Sequence, residues 1–345
     1  MAPITNTRVT RAKLISKEES FTSSNFKIET VELDVQLKDG EVLVRNLYLP
    51  LDPYTRYSFD DQDPAAIATI GQTINAFGIS EVIESKNPAF PVKSIVLGFS
   101  VGWEQYTVLT KPQQQALVIP DAHNPKIPLT EYANVLGVNG LTSYAAVETL
   151  VQFKKDQPVY ISSAAGPVGS FFGILAKRKG AFVIGSAGSD EKVQYLLNDL
   201  GFDAAFNYKT KDTRVELDAA APNGIEIYFD LVGGETLDIA LEKLKTKGQV
   251  VAIGSISAVG AKTPYLTKNL GLIVRKALTI NGFTAFHHMD KFPKLWNEFG
   301  PLIANGEIKS QKTTIVKGVE NAGKAFADYL SGSYHGKVVV EVASL

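Results

Sequence analysis

The stretch "YISSAAGPVGSFFGILAKRKGAFVIGSAGSDEK", residues 160–192, decides the fold. It runs an apolar strand into a glycine turn, a helix, a second apolar strand and the start of a second helix. Pro167 suits the first helical turn, where its missing N–H costs nothing. Val168, Phe171, Phe172 and Leu175 then fall three and four residues apart and make one buried stripe. Lys177, Arg178 and Lys179 fill the last turn, where cations suit the helix dipole, and Gly180 is placed to end the helix.

The turn has the spacing S-x-x-G-x-x-G, with Ser163 where a dinucleotide fingerprint has its first glycine. Gly166 leaves room for a pyrophosphate, the helix N-terminus offers N–H donors, and Gly169 lets helix and strand pack closely. A glycine pair alone is a weak signal. Between two apolar strands, and opening a striped helix, it predicts dinucleotide binding.

An NAD-preferring site usually ends its second strand with a carboxylate for the ribose 2′-hydroxyl. Here that stretch reads "GSAGSDEK" (185–192), and Gly185 to Gly188 carry no charge. Ser189 is an N-cap, which puts Lys192 in the first turn of a helix running to Leu200. Glu or Gln at that position would close a capping box, and a lysine there opposes the dipole by about 0.3–1 kcal/mol. A bound 2′-phosphate accounts for the lysine and predicts NADPH as cofactor. The plain alternative is a surface lysine screened by Asp190 and Glu191.

Further apolar runs flank this unit: "PVYIS" (158–162), "AFVIGSA" (181–187), "IEIYFDLV" (225–232), "QVVAIGS" (249–255) and "ALTINGF" (277–283). Nearly continuous apolar strands are what a parallel sheet covered on both faces requires. They alternate with helices from about residue 131, so the fold class is α/β with a Rossmann-type parallel sheet. Earlier residues hold short β-like runs such as "GEVLVRNLYL" and "SIVLGF", punctuated by prolines, and read as an irregular β-rich domain. "GKVVVEV" (336–342) is expected to return to it. The expected organisation is residues 1–130 with 305–345 as the β-rich substrate domain, and 131–304 as the NADP(H)-binding domain.

Composition narrows the function. A formal net charge of -1 over 345 residues gives no global field for nucleic acid or an anionic membrane. Zero cysteines exclude disulfides, thiolate catalysis and cysteine-lined zinc sites, and the four histidines show no HExxH spacing. No run approaches the roughly 18 apolar residues of a membrane span, and the first twenty residues lack a signal peptide's apolar core. An intracellular, cytoplasmic protein is expected.

Eight segments carry a resemblance. They are "LPLDPYTR" (49–56), "VGWEQYTVL" (101–109), "LGVNGLTSYAAV" (136–147), "AAGPVG" (164–169), "GSAGSDEKVQYL" (185–196), "LGFDAAFNYK" (200–209), "YFDLVGGETLD" (228–238) and "GSIS" (254–257). In these the chain resembles the zinc-free medium-chain dehydrogenase/reductases, in the branch of prostaglandin reductases and alkenal or enone double-bond reductases. The resemblance implies a GroES-like form for the β-rich domain, a homodimer, and NADPH-dependent reduction of a carbon–carbon double bond conjugated to a carbonyl. It also implies roles for particular residues. Gly166, Pro167, Val168 and Gly169 would hold the pyrophosphate. Lys192 and Tyr208, beside Gly188, would meet the 2′-phosphate. Ile253, Gly254, Ser255, Ile256 and Ser257, with Phe283, Thr284 and Ala285, would line the nicotinamide side, and Asn139 and Thr142 would lie near a domain cleft.

Three positions depart from the family: Val259 replaces a tyrosine associated with the enolate, and Leu231 and Tyr334 each replace an asparagine. Hydride delivery to the β-carbon needs a donor for the developing enolate oxygen. The candidates are the cofactor's ribose hydroxyl, Tyr54 from the DPY segment, and Tyr265. Asp52 and Arg56 read as a structural ion pair, Trp103 as packing, Asp230 as a loop cap and His287-His288 as a surface pair. Ala66, Ile67, Ile70, Val259 and Leu266 suggest an apolar substrate lining. A quinone reductase and a non-catalytic NADPH-binding protein are the competing functions.

Overall fold

The computed structural model describes residues 3–16, 19–258, 263, 265–309, 312–334 and 336–345. Its chain divides into two units, Met1–Gly137 with Gly300–Leu345, and Val138–Phe299.

In the first unit, β1 (Ile4–Arg11) and β2 (Phe26–Leu33) form an antiparallel pair. A larger sheet contains β3 (Val42–Pro50), β4 (Asn75–Ser85), β5 (Ile95–Gly102) and β7 (Ala116–Val118), with β6 (Tyr106–Leu109) on β3. Val42, Val44, Leu49, Val82, Val96 and Val101 from these strands lie in one buried cluster. After β3 the chain turns at Asp52 into a 3-10 helix, Pro53–Phe59, with Pro53 fixing the first turn. Phe21, Phe26, Phe59, Trp103 and Phe326 form an aromatic group beneath it, with centroids 5.0–6.4 Å apart. The Arg56 guanidinium lies 5.3 Å over the Phe21 ring, and that of Arg11 lies 5.3 Å over Phe59.

The second unit is built on β8 (Pro158–Ile161), β9 (Phe182–Ala187), β10 (Ala204–Asn207), β11 (Ile225–Asp230), β12 (Leu244–Ala252) and β13 (Thr279–Gly282). All six run parallel in the order β10-β9-β8-β11-β12-β13. This is the doubly wound order, and its switch point, where ligands bind, lies at the C-terminal ends of β8 and β11. Helix Pro167–Arg178 buries Phe171, Phe172 and Leu175 as its stripe requires, and Phe172 stacks on Phe229 at 3.7 Å. Gly180, at φ 82°, follows its end.

Three details differ from the sequence reading. β10 was not among the apolar runs, because "AAFN" is too short and too mixed to read as a buried strand. The helix begun by Ser189 changes to a π turn at Tyr195–Asp199. β13, read as covered on both faces, is a sheet edge where Thr279, Ile280 and Gly282 are exposed.

The last strands return to the first unit. β14 (Thr313–Lys317) pairs parallel with β15 (Lys337–Glu341), and β15 pairs antiparallel with β3. Lys337, Val338, Val339 and Val340 have no exposed surface. No helix among the described residues is long and apolar enough to cross a membrane.

Candidate active site

The glycine turn makes an anion cradle from main chain. Ser163 takes φ 49°, the left-handed region that favours glycine, and its carbonyl accepts the Gly166 N–H at 3.0 Å. Gly166 caps helix Pro167–Arg178 without a side chain. The helix's first carbonyl acceptor is that of Gly166, from Ser170 N–H at 2.9 Å, so the N–H groups of Val168 and Gly169 precede the helical ladder. A Cβ on Gly169 would lie 2.8 Å from the Ser163 carbonyl oxygen and 2.9 Å from Ala164 Cα. The helix can approach the turn this closely only with glycine there. Ser143 Oγ donates to the Val168 carbonyl at 2.7 Å and ties this turn to helix Val138–Leu150, which carries buried Asn139 and partly exposed Thr142. The Thr142 hydroxyl itself donates to the Val138 carbonyl at 2.7 Å.

A second cradle closes the end of β9. Ser189 Oγ accepts the Lys192 N–H at 3.3 Å, the expected cap. Tyr208 N–H donates to the Ala187 carbonyl at 3.1 Å, which sets Tyr208 beside Gly188. A Cβ on Gly188 would lie 3.1 Å from Tyr208 Oη and 3.4 Å from Lys209 Cε. The nearest acid of the first turn, Asp190, accepts a hydrogen bond from Asn207 Nδ2 at 2.8 Å. Tyr208 Oη and Lys209 Cε thus meet at Gly188, with the main chain of Lys192, four residues on, fixed by the Ser189 cap; a phenol and lysine side chains are a donor set that suits a phosphate. Sequence reasoning missed Lys209; its signal is the Tyr-Lys pair following β10, a strand too short to be recognised.

The ends of β11 and β12 are fixed by Asp230, which is buried. One carboxylate oxygen accepts from Tyr228 Oη at 2.7 Å, Val232 N–H at 3.0 Å and Gly233 N–H at 2.7 Å. Ser162 Oγ accepts the Leu231 N–H at 3.1 Å and lies 3.0 Å from Tyr228 Oη. Burial pushes the Asp230 carboxyl above its ordinary value and the Tyr228 phenol well above its own. Asp230 therefore caps a loop, as its place at a strand end predicts.

That loop positions the nicotinamide-side candidates. Ile253 and Gly254 N–H donate to the Asp230 carbonyl at 2.9 and 3.2 Å, and Ser257 Oγ donates to the Val232 carbonyl at 2.6 Å. Gly254, Ser255, Ile256 and Ser257 are exposed. Phe283 N–H donates to the Ala252 carbonyl at 3.0 Å, bringing Phe283, exposed Thr284 and buried Ala285 to the end of β13 beside them. The Phe283 ring stacks on His288 at 4.8 Å, while His287 is exposed.

The two candidate tyrosines differ. In the first unit, Tyr54 Oη accepts the Phe77 N–H at 3.3 Å, and the two rings meet edge to face at 6.0 Å. Burial, and then the Asp52 charge, hold its phenol far above the ordinary value, so it is a neutral O–H. In the second unit, Tyr265 donates its proton to Asp238 Oδ2 at 3.0 Å, and Lys268 lies 5.6 Å over its ring. Val259 lies outside the described residues. Leu231 contributes main-chain bonds to its loop, and Tyr334 packs against the core of the first unit. Of the apolar candidates, Ala66 is buried, Ile67 and Ile70 are about half exposed, and Leu266 is 81% exposed. Asp52 holds a buried ion pair with Lys337, whereas Arg56 donates to the Glu19 carbonyl at 3.2 Å. Trp103 belongs to the buried aromatic group.

Residues 15–117 match the family described as "N-terminal domain of oxidoreductase", and residues 167–300 match "Zinc-binding dehydrogenase". The chain has no cysteine, and among the described residues no three His, Asp or Glu side chains group to hold a metal. The 2-alkenal reductase (NADP(+)-dependent) of Nicotiana tabacum is 35% identical over 93% of this chain and 93% of its own length. Prostaglandin reductase 1 of Bos taurus is 36% identical over 93% of this chain and 94% of its own. The crystal structure of CurA in complex with NADPH from Vibrio vulnificus aligns with a TM-score of 0.85 at 28% identity, over 98% of this chain and 100% of that one.

Proposed function

Because the chain belongs to the medium-chain dehydrogenase/reductases, in the branch that holds the prostaglandin and alkenal double-bond reductases, we propose that it reduces α,β-unsaturated aldehydes or ketones with NADPH. The observation that carries this is identity of about one third, along nearly the full length, to a 2-alkenal reductase. The cofactor reading also has local support in the Lys192, Tyr208 and Lys209 corner, which suits a 2′-phosphate.

When bound, the reduced cofactor supplies a hydride for the β-carbon. The chain's residues bind and polarise. Val168 and Gly169 N–H would hold the pyrophosphate, while Lys192 and Lys209 would neutralise the 2′-phosphate and Tyr208 would donate a hydrogen bond to it. The loops at 253–257 and 283–285, with Asn139 and Thr142, hold the nicotinamide end. Tyr54, kept neutral by burial, donates a hydrogen bond to the carbonyl oxygen as negative charge builds there. A proton from solvent then completes the saturated product at the α-carbon. Tyr265 is not given this role, because its proton already serves Asp238.

A homodimer through β13 belongs to the same proposal. "ALTINGF" has the composition of a covered strand, yet Ile280 is 40% exposed on a sheet edge and Val274 nearby is 83% exposed. A second copy pairing along this edge would cover both. Light scattering should then show twice the chain mass, and Ile280→Lys should return the monomer. A cytoplasmic location goes with this reading and is checked by cell fractionation.

The first assay is a 2-alkenal with NADPH or NADH, following nucleotide absorbance and product mass. Consumption of NADPH to give a saturated aldehyde supports the proposal. Turnover of quinones alone, or tight NADPH binding with no turnover at all, replaces it with a quinone reductase or a non-catalytic binder.

A further inference from the structure

Lys337, the first residue of β15, has no exposed surface, which is rare for a lysine. Its ammonium donates to Asp52 Oδ1 at 2.5 Å and to the Leu51 carbonyl at 3.2 Å. Both acceptors lie where the chain leaves β3 for the helix that carries Tyr54. A buried ion pair rarely stabilises a fold more than apolar residues of the same volume would. Nor does the sheet depend on it, since Leu51 N–H already bonds the Val338 carbonyl at 3.0 Å.

What the pair adds is a fixed orientation for Asp52. The Asp52 carbonyl accepts the Thr55 N–H at 3.1 Å and so opens the helix. Tyr54 lies between those two residues, and its oxygen is held from the far side by the Phe77 N–H. The phenol is therefore anchored both through its main chain, to Lys337 by way of Asp52, and through its hydroxyl, to Phe77.

We infer that Lys337 is a positioning residue for double-bond reduction: through Asp52 it fixes the turn that presents the Tyr54 hydroxyl to the substrate oxygen. The inference rests on Tyr54 being the hydrogen-bond donor proposed above. Nothing in it needs Lys337 to touch substrate or cofactor.

Lys337→Met alone strands a buried carboxylate and is expected to fold poorly. The decisive protein is Asp52→Asn/Lys337→Met, which removes both charges and nearly preserves volume. With saturating NADPH and a 2-alkenal, kcat is expected to fall about 10-fold, because small displacements of a reacting group are costly, while NADPH Kd stays within about twofold. In a Tyr54→Phe background the same pair of substitutions is expected to change kcat by less than about twofold, since the group it positions is gone. Lys337→Arg, which keeps the charge but moves its centre, is the second test and should lower kcat at unchanged NADPH affinity.

Wild-type kcat in both Lys337 proteins overturns the inference, as does a 10-fold loss that persists in the Tyr54→Phe background. Wild-type kcat in Tyr54→Phe alone is a different failure: it removes the reading of Tyr54, and the inference with it.

Discussion

The two units build their functional groups in opposite ways. In Val138–Phe299 the cradle is mostly main chain: N–H groups ahead of a helical ladder, carbonyls that fix loops, and glycines at 166, 169 and 188 where a Cβ would intrude. In the other unit the proposed donor is one phenol, Tyr54, with an ion pair beneath its turn. A site of main-chain groups tolerates side-chain exchange, which is how Ser163 can stand for a glycine and Leu231 for an asparagine. A site of one side chain does not. Substitutions in the first kind should therefore act on affinity and stability, and those in the second on turnover.

The sharpest test is Tyr54→Phe. Loss of one hydrogen bond to a developing oxyanion should lower kcat about 100-fold with NADPH Kd unchanged, whereas Tyr265→Phe should leave kcat near wild type. Steady-state kinetics with a 2-alkenal, beside fluorescence titration of NADPH, separates the two. Weaker NADPH binding in Tyr54→Phe would break the comparison.

Lys192→Ala comes next. Removing one charge-assisted contact should weaken NADPH binding about 10-fold to 100-fold and leave NADH unaffected, with Lys209→Ala giving a smaller loss of the same kind. Equal losses for both nucleotides would put Lys192 elsewhere on the cofactor.

Gly169→Ala should reduce stability by about 1–3 kcal/mol, because both the Ser163 carbonyl and Ala164 Cα in its way are backbone and must move. Thermal melts with and without NADPH read the effect, and the stabilisation by NADPH should shrink as well.

The smallest effect is one of pH. Burial raises the Asp230 carboxyl above its ordinary 3.8, so between that pH and its raised value the folded protein holds a proton that the unfolded chain releases. Asp230's contribution therefore falls as pH rises through this window. Asp230→Asn should remove that slope, as urea melts at successive pH values will show; an unchanged slope would assign it to other groups.

This contrast also explains what could be read from the sequence. Five of the six strands in the parallel sheet coincide with apolar runs; for the interior strands β8, β9 and β11 the cause is burial, which leaves one composition open to them, while β13 has that composition on an exposed edge. The glycine turn, the Ser189 cap and the corner at Lys192 were visible because each is local, set within a few residues by sterics and dipoles. Lys209 was hidden behind β10, whose four residues carry no period. The partner of Asp52 was hidden for another reason: Lys337 lies 285 positions away, and no local pattern announces a contact of that range. Tyr265, a candidate only by its nearness in sequence to position 259, has its hydroxyl on Asp238, a contact 27 residues away that the sequence does not announce.

The placing of β15 also bears on how the molecule is made. Residues 138–299 are one uninterrupted stretch and can fold as soon as they have left the ribosome. The unit with Tyr54 must wait, with the end of β3 unpaired and Asp52 without its cation, until translation reaches residue 337 and beyond. The order of synthesis thus lets the middle of the chain close first, and the half holding the phenol is the one whose sheet is completed last.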